Sequence, residues 1–249
     1  MNVLFLMAGQ SRLFDEAGFR YPKNLVEIAG SPLVERFVDS VATIFPRSDA
    51  RVFLINEDED RRYHTGSVIS LLDPAATVIK SKGTTAGAAC TALLASEWIT
   101  NDQPLLIMNG DILLLCGLSE AIESFQARDL DGGVMVFDGV HPRWSYVRVD
   151  GDDRVVEAAE KRPISRLATT GVYYFRQGID FVESAKAMIR KDASVDGSFY
   201  VCPCYNEMVL AGKNIGVFRV ERDCYHSLAT PQGVEDYERF LLSQQRKAQ

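Results

Sequence analysis

Long apolar runs are missing from this chain of 249 residues. A membrane-spanning helix needs about 20 predominantly apolar residues, and no apolar stretch here reaches ~18. The first apolar run, residues 3–7, is short and no basic region precedes it, so we expect neither a signal peptide nor a membrane partner. The expected location is therefore the cytoplasm.

Cysteine and histidine are also scarce. The five cysteines are odd in number and follow no disulfide-framework spacing, so we expect free thiols in a reducing compartment. The three histidines are far apart in the chain, which argues against a histidine-based zinc site.

Two catalytic motifs and an excess of positive charge are missing as well. The chain has neither the phosphate-binding Gly-x-x-x-x-Gly-Lys-Ser/Thr loop nor a Gly-x-Ser-x-Gly nucleophile motif. The net charge of −7 argues against general affinity for nucleic acid, so we expect no such partner. Local cations and a metal ion would have to hold an anionic substrate.

The hydrophobic residues, 47% of the chain, are ample for a sizeable core. In the first half, strands predicted at 3–7, 51–55, 77–80 and 105–108 alternate with helical patterns that begin at Pro32 and cover 88–98 and 119–128. Such alternation indicates a mostly parallel, doubly wound sheet, whose ligands bind beyond the carboxyl ends of the strands.

The second half is richer in short strands. We predict strands at 133–137, 146–149, 154–158, 169–175 and 215–220, and helices at 179–190, 205–211 and 230–245. No linker or internal repeat interrupts the chain, so the simplest interpretation is one α/β domain, residues 1–249, with a mixed sheet.

The turn after the first strand is suited to a polyphosphate. Ala8, Gly9 and Ser11 are small residues, which let backbone N–H groups converge on an anion. Arg12 supplies a positive charge in this turn, and Lys23 supplies another just after Pro22.

Two further segments, one after a predicted strand and one before a predicted helix, have side chains suited to binding a metal ion or a nucleotide. Asn109, Gly110 and Asp111 follow a buried strand, where a carboxylate suits Mg²⁺, although the same residues also favour a plain Asx turn. Residues 82–88 place small side chains and threonine hydroxyls before a helix; they could contact a nucleotide base or simply cap that helix.

These segments resemble the sugar nucleotidyltransferases, or nucleoside-diphosphate-sugar pyrophosphorylases, and their cytidylyltransferase relatives. That family opens with an Ala-Gly-x-Gly-x-Arg loop and a Pro-Lys pair, and continues with a Gly-Thr-Ala-x-Ala loop, a metal-binding Gly-Asp, a Glu-Lys-Pro element and a Gly-Ile-Tyr strand. The resemblance covers almost the whole chain. It implies a Rossmann-like α/β fold, with a mixed, mostly parallel sheet flanked by helices, as in GT-A-type glycosyltransferases.

The resemblance also implies a reaction, in which a nucleoside triphosphate and a small phosphorylated acceptor give a nucleoside-diphosphate-linked product and pyrophosphate. It implies Mg²⁺ held by Asp111, charge stabilisation at the α-phosphate by Lys23, and binding of the leaving pyrophosphate by Arg12. The implied nucleotide-binding residues are Ala8, Gly9, Ser11, Lys82, Gly83, Thr85, Gly87, Ala88, Asn109 and Gly110. The implied acceptor-binding residues are Glu160, Lys161 and Gly171.

Arg143 and Trp144 are a further candidate pair for the acceptor. Arginine offers bidentate contact to an anion and tryptophan offers a stacking face. The equally weighted alternative is a lid loop with a packed tryptophan.

The chain departs from the family pattern in two places. The second glycine of the first loop is missing, because either one residue is deleted before Arg12 or Ser11 replaces the glycine. Ser227 stands where many members have a second metal-binding aspartate, so either one carboxylate suffices or another residue, Asp223 or Glu207, serves instead.

Several alternatives stay open at this point. Within the class, a CTP-dependent enzyme could act on a non-sugar phosphate or phosphonate such as phosphocholine. Outside it, a nucleotide-sugar-dependent glycosyltransferase or a degenerate nucleotide-binding regulatory protein remains. The residues name neither the base nor the acceptor, and exposed patches on the late strands could mediate a homodimer.

Overall fold

A computed structural model describes residues 1–42, 44 and 50–247. The strands are β1 (Asn2–Met7), β2 (Glu27–Ile28), β3 (Ser31–Pro32), β4 (Ala50–Asn56), β5 (Thr77–Ser81), β6 (Leu105–Asn109), β7 (Ile112–Leu114), β8 (Gly132–Asp138), β9 (Ser145–Val149), β10 (Val155–Glu160), β11 (Leu167–Phe175), β12 (Ile215–Arg219) and β13 (Tyr225–Ser227). The helices are α1 (Arg12–Glu16), α2 (Leu33–Ala42), α3 (Glu57–Tyr63), α4 (Thr65–Leu72), α5 (Ala88–Leu93), α6 (Ser96–Ile99), α7 (Leu118–Ala127), α8 (Gly178–Arg190), α9 (Cys204–Leu210) and α10 (Pro231–Lys247). Short 3₁₀ helices cover Lys23–Leu25 and Arg222–Cys224.

A nine-stranded sheet runs through both halves of the chain. Its main path is β10-β9-β11-β6-β1-β4-β5, and β8 joins β11 to β12. The strands β10 and β11 run against the other seven, so the sheet is mixed and mostly parallel, as predicted. Two small antiparallel pairs, β2 with β3 and β7 with β13, lie outside it.

The central strand β1 is apolar because both of its faces are covered. Val3, Phe5 and Met7 are fully buried in one core cluster, together with residues of α2. Leu4 points the other way, into a second cluster that includes residues of α5 and α8. The alternation of side chains along a strand thus supplies two cores, one on each side of the sheet.

Two helix predictions need correction at their boundaries. The helix expected over 88–98 is divided into α5 and α6, and the backbone N–H of Ala95 bonds to Ala92 between them. The helix expected from Pro32 begins one residue later, because Ser31 and Pro32 pair with β2 in a short hairpin.

The expectation that all cysteines are free thiols is wrong. Cys116 and Cys224 form a disulfide with their Cα atoms 5.6 Å apart, whereas Cys90, Cys202 and Cys204 are free. The pairing of β7 with β13 brings the two residues together, and the backbone N–H of Leu115 donates to the carbonyl of Cys224 at 2.9 Å. A sequence separation of 108 residues gives no local sign of this contact.

Within the described ranges, no helix has both the length and the apolar character needed to cross a membrane.

Candidate active site

A cavity of about 730 Å³ opens at the carboxyl ends of β1 and β6. Ala8 and Gly9 line it after β1, and Asn109 and Asp111 line it after β6. Gly83, Thr84, Thr85 and Gly87 before α5, with Ala88 at its start, form a second side, and residues of β9, β10, β11 and β13 form a third. The site therefore lies where ligands bind in doubly wound sheets.

Lys23 and Asp111 meet inside this cavity. The Lys23 Nζ atom lies 3.2 Å from Asp111 Oδ2, and Lys23 is only 6% exposed. The backbone N–H of Lys23 donates to Ser11 Oγ at 3.0 Å, which fixes the Pro-Lys segment against the first loop. The Lys23 ammonium could bind a phosphate group, and the Asp111 carboxylate beside it could bind a metal ion.

Asn24 and Glu59 support this arrangement from behind. The Asn24 side-chain amide donates to the Met7 carbonyl at 3.0 Å and to Glu59 Oε1 at 2.8 Å. Thr65 Oγ1 also donates to Glu59 Oε1, at 3.1 Å. Burial raises the pKa of Glu59, and these hydrogen bonds oppose that shift. Neither residue carries a local sequence signal, because each acts through contacts between separate elements.

The late segment around Ser227 packs directly on Asp111. Ser227 pairs with Ile112 in the β7–β13 ladder, and the backbone N–H of Leu228 donates to the Asp111 carbonyl at 2.7 Å. The backbone N–H of Gly110 donates to the Leu6 carbonyl at 2.9 Å. The turn that carries Asp111 is therefore held from both sides.

The donor set fits Mg²⁺ only with help from substrate oxygens. No cluster of three or more His, Cys, Asp or Glu residues that could hold a metal occurs among the described residues. Asp111 is a hard oxygen donor at the cavity, and Mg²⁺ commonly takes one or two carboxylates plus phosphate oxygens. Asp223 and Glu207 do not line the cavity, and Glu207 pairs with Lys191 at 2.6 Å. Asp236, which the sequence analysis missed, does line it.

The loop before α5 is locked to a segment that the sequence analysis did not single out. Gly87 has φ of +111°, and a β-carbon there would lie 2.4 Å from the Phe199 carbonyl oxygen. Phe199 also bonds through its N–H to the Ala86 carbonyl at 2.8 Å and through its carbonyl to the Ala89 N–H at 2.9 Å. Tyr200 and Val201 consequently join the cavity lining beside Thr85.

Of the residues expected to bind the acceptor, Glu160 and Gly171 line the cavity and Lys161 does not. Glu160 lines the cavity, accepts a hydrogen bond from Ser145 Oγ, and has its pKa raised by burial. Lys161 is left-handed at φ of +54° and lies outside the lining, with Nζ 3.7 Å from Asp196 Oδ2 and 5.2 Å from the Tyr200 ring. Gly171, at φ of +82°, lets Asn109 pack against the backbone, since a β-carbon would come within 2.8 Å of Asn109 Nδ2.

Trp144 is packed against the core and exposed to the cavity at the same time, so its stacking on an acceptor stays a prediction. It packs edge-on against Phe137, with ring centroids 5.0 Å apart, and it also lines the cavity. Arg143 and Arg222 line the cavity beside it. Arg222 was not identified from the sequence, because only the fold brings the residues after β12 to this wall.

Residues 11–207 match the family model described as nucleotidyl transferase. The chain belongs to the nucleotidyl transferase family. A nucleoside-diphosphate-sugar pyrophosphorylase from Vibrio cholerae RC9 has 25% sequence identity and a TM-score of 0.82, over 95% of this chain and 99% of that one. The family resemblance inferred from the motifs is thereby confirmed.

Two other relatives extend the comparison. The bifunctional protein GlmU of Methanocaldococcus jannaschii is 24% identical over 190 residues, 75% of this chain but 43% of that protein. This nucleotidyl transferase chain thus spans less than half the length of that relative. An inositol-1-phosphate CTP transferase from T. maritima shares the fold, with a TM-score of 0.71 and 14% identity over 93% of this chain and 90% of that one.

Not every residue implied by the family motifs reaches the cavity of this nucleotidyl transferase. Those on the lining are Ala8, Gly9, Lys23, Gly83, Thr85, Gly87, Ala88, Asn109, Asp111, Glu160 and Gly171, and the separate candidate Arg143 lies there too. Those outside it are Ser11, Arg12, Lys82, Gly110 and Lys161. Arg12 lies on α1 and pairs with Glu16 at 2.6 Å, so its expected contact with pyrophosphate stays a prediction.

Proposed function

We propose that the chain is a magnesium-dependent nucleotidyltransferase that condenses a nucleoside triphosphate with a sugar 1-phosphate, giving a nucleoside-diphosphate sugar and pyrophosphate. The observation that carries the proposal is the contact of the buried Lys23 with the half-buried Asp111, with 3.2 Å between Nζ and Oδ2, inside a cavity that the 83–88 loop also lines. Family membership and the V. cholerae pyrophosphorylase support it.

The chemistry requires positioning more than proton transfer. The acceptor phosphate already carries an anionic oxygen, so it attacks the α-phosphorus in line without a general base, and pyrophosphate leaves. Lys23 donates to the α-phosphate and stabilises the charge that develops there. Mg²⁺ bound at Asp111 would supply neutralisation of the phosphate oxygens. The backbone at Ala8 and Gly9 holds the leaving pyrophosphate.

The remaining walls fix the two substrates. The base and ribose lie along residues 83–88, where close packing of Gly87 on the Phe199 backbone fixes the loop. The acceptor lies toward Glu160, Gly171 and Arg143. Glu160 accepts from Ser145 and can accept further hydrogen bonds from acceptor hydroxyls.

A second candidate is a CTP-dependent transfer to a non-sugar phosphate or phosphonate. Ser227 favours it, because this residue faces the cavity beside the Asp111 turn and supplies no second carboxylate. The Lys23–Asp111 pair argues against the glycosyltransferase and regulatory alternatives, since neither needs a lysine at the α-phosphate.

The test is pyrophosphate release with Mg²⁺, each common nucleoside triphosphate in turn, and a panel of sugar 1-phosphates, phosphocholine and phosphonates. Release restricted to one nucleotide and a sugar 1-phosphate is the expected result. Release only with CTP and a non-sugar acceptor would select the second candidate. Nucleotide binding without release from any pair would overturn both.

A further inference from the structure

Two arginine side chains lie on one tryptophan at the acceptor side of the cavity. The guanidinium carbon of Arg143 is 4.6 Å from the centre of the Trp144 ring, and that of Arg222 is 5.6 Å from the centre of this ring. All three residues line the cavity. Both guanidinium groups therefore contact the same ring, one from the β8–β9 loop and one from the 3₁₀ helix after β12.

Arg222 is held in place by more than Trp144. Its guanidinium lies 5.0 Å from the Phe137 ring and 5.2 Å from the Tyr225 ring. Its Nη1 atom donates to the Tyr225 carbonyl at 2.8 Å. A guanidinium has five N–H donors, so an orientation fixed by one of them leaves others for a ligand.

Neither guanidinium is neutralised by the protein. Across the described ranges, no carboxylate forms an ion pair with Arg143 or Arg222, whereas other surface arginines such as Arg166 and Arg219 pair with aspartates. Each guanidinium is therefore a positive charge on the cavity wall that an anionic group of a ligand would stabilise. Because the net charge of the chain is −7, an anionic ligand would be attracted by these local cations and not by the protein as a whole.

The arginine pair lies beside the Asp111 end of the cavity. Tyr225, whose carbonyl accepts from Arg222, lies on β13, and Ser227 at the end of that strand pairs with Ile112, next to Asp111. Arg143, Tyr225 and Asp111 all line the same cavity. A small acceptor in this cavity whose phosphate reacts near Asp111 can therefore place a second group at Arg143 and Arg222.

We propose that the acceptor carries a second anionic group besides the phosphate that reacts, and that Arg143 and Arg222 bind this group across Trp144. This inference rests on the proposed transfer reaction and narrows its substrate class. It favours a sugar phosphate with a carboxylate or a second phosphate, or a phosphonate with a carboxylate. It disfavours a cationic acceptor such as phosphocholine.

The experiment compares acceptors that differ in one anionic group. The probes are glucuronic acid 1-phosphate against glucose 1-phosphate, glucose 1,6-bisphosphate against glucose 1-phosphate, and phosphonoacetate against methylphosphonate, with phosphocholine as the cationic probe. In each pair that reacts, we expect the acceptor with the additional anionic group to have the higher kcat/KM for pyrophosphate release, by about tenfold or more. Arg143→Gln and Arg222→Gln should each remove most of that preference.

Arg62→Gln is the matched control. Its guanidinium also lies over an aromatic ring, 5.0 Å from Tyr63, yet Arg62 does not line the cavity. This variant should keep the full preference. Equal rates within every reacting pair, a preference that survives both cavity variants, or best use of phosphocholine would each overturn the inference.

Calorimetry separates this inference from the proposed reaction. If no acceptor releases pyrophosphate, the transfer proposal fails, and titration of phosphonoacetate and methylphosphonate into the Mg²⁺-containing protein decides the anion site alone. Binding of phosphonoacetate that is at least about tenfold tighter, and weakened by Arg222→Gln, would sustain it. Indistinguishable titrations of the two probes would reject it.

Discussion

A side chain cannot be added to Gly87 without meeting the Phe199 carbonyl oxygen, which would lie 2.4 Å from the new β-carbon. The two residues are far apart in sequence, and they join the loop before α5 to the segment that carries Tyr200 and Val201. One side of the cavity therefore depends on a backbone-to-backbone contact that only glycine permits.

Gly87→Ala tests this contact. We expect it to lower the free energy of unfolding by about 3 kcal/mol, because left-handed strain adds to a clash with fixed backbone. The control is Gly212→Ala, whose φ is +75° but whose β-carbon would have open space, and it should cost about 1 kcal/mol. Urea unfolding measures both, and equal losses would show that Phe199 does not constrain the loop.

Lys23→Ala and Asp111→Asn should each lower kcat for pyrophosphate release about 100-fold or more while leaving the fold intact. The matched pair for comparison is Lys213 and Asp180, which form a 3.1 Å ion pair outside the cavity lining. Lys213→Ala and Asp180→Asn should keep near-normal rates. Near-normal turnover in either cavity variant, with its circular dichroism unchanged, would contradict the proposed reaction.

Glu59→Gln tests the buried network behind Lys23. Because burial raises the pKa of Glu59 above its usual value of 4.5, the folded state binds this proton more tightly than the unfolded state. Its contribution to stability is therefore fully present below pH 4.5 and is lost as the pH rises through the higher folded pKa. Glutamine keeps an acceptor for Asn24 but cannot ionise, so the variant should gain stability relative to wild type as the pH rises.

Urea unfolding at a series of pH values from about 4 to 8 measures that difference, and comparison with wild type cancels the other carboxylates. An unchanged difference between variant and wild type across the series would show that Glu59 does not titrate abnormally. Glu57→Gln is a suitable control, because Glu57 is on the same helix and does not contact Asn24.

Loss of the disulfide should destabilise the fold. A crosslink that closes about 100 residues is worth up to ~4.7 kcal/mol in the chain-entropy model, and measured losses are typically about 2–5 kcal/mol. We expect the double variant Cys116→Ser with Cys224→Ser to fall in that range, and Cys90→Ser to change little because Cys90 is free. Thiol titration of the unfolded wild type, without reductant, should count three thiols; a count of all five would refute the pairing.

The main sheet could be predicted because its strands carry local signals. The apolar runs within β1, β4 and β6 have the length and spacing of buried strands, and the prediction of each was confirmed within one or two residues at its ends. The strand β7 and its partner β13 are three residues each, too short for any pattern. The helix α3 begins with Glu57–Asp60 and has little apolar periodicity, so its signal is the Asn56 cap alone.

The site was partly predictable for a similar reason. Lys23 and Asp111 each belong to a short contiguous motif, so both could be identified from the sequence before their contact in the fold was known. Other residues contribute to the site through contacts with partners that are distant in sequence, so no local motif marks them; these are Glu59, Phe199 and Arg222. The direction of a single side chain, as at Arg12, also depends on its nearest ion pair, here with Glu16.

The link between Cys116 and Cys224 has a consequence for motion. At one end of the β7–β13 ladder lies this covalent bond, and at the other the Leu228 N–H bonds to the Asp111 carbonyl. The two strands are thus fixed to each other at both ends of the ladder, so we expect Asp111 and Ser227 to keep their relative positions when the surrounding structure moves. The contact between the loop at Gly87 and Phe199, in contrast, consists of backbone packing and hydrogen bonds alone, so we expect this side of the cavity to be the easier one to displace.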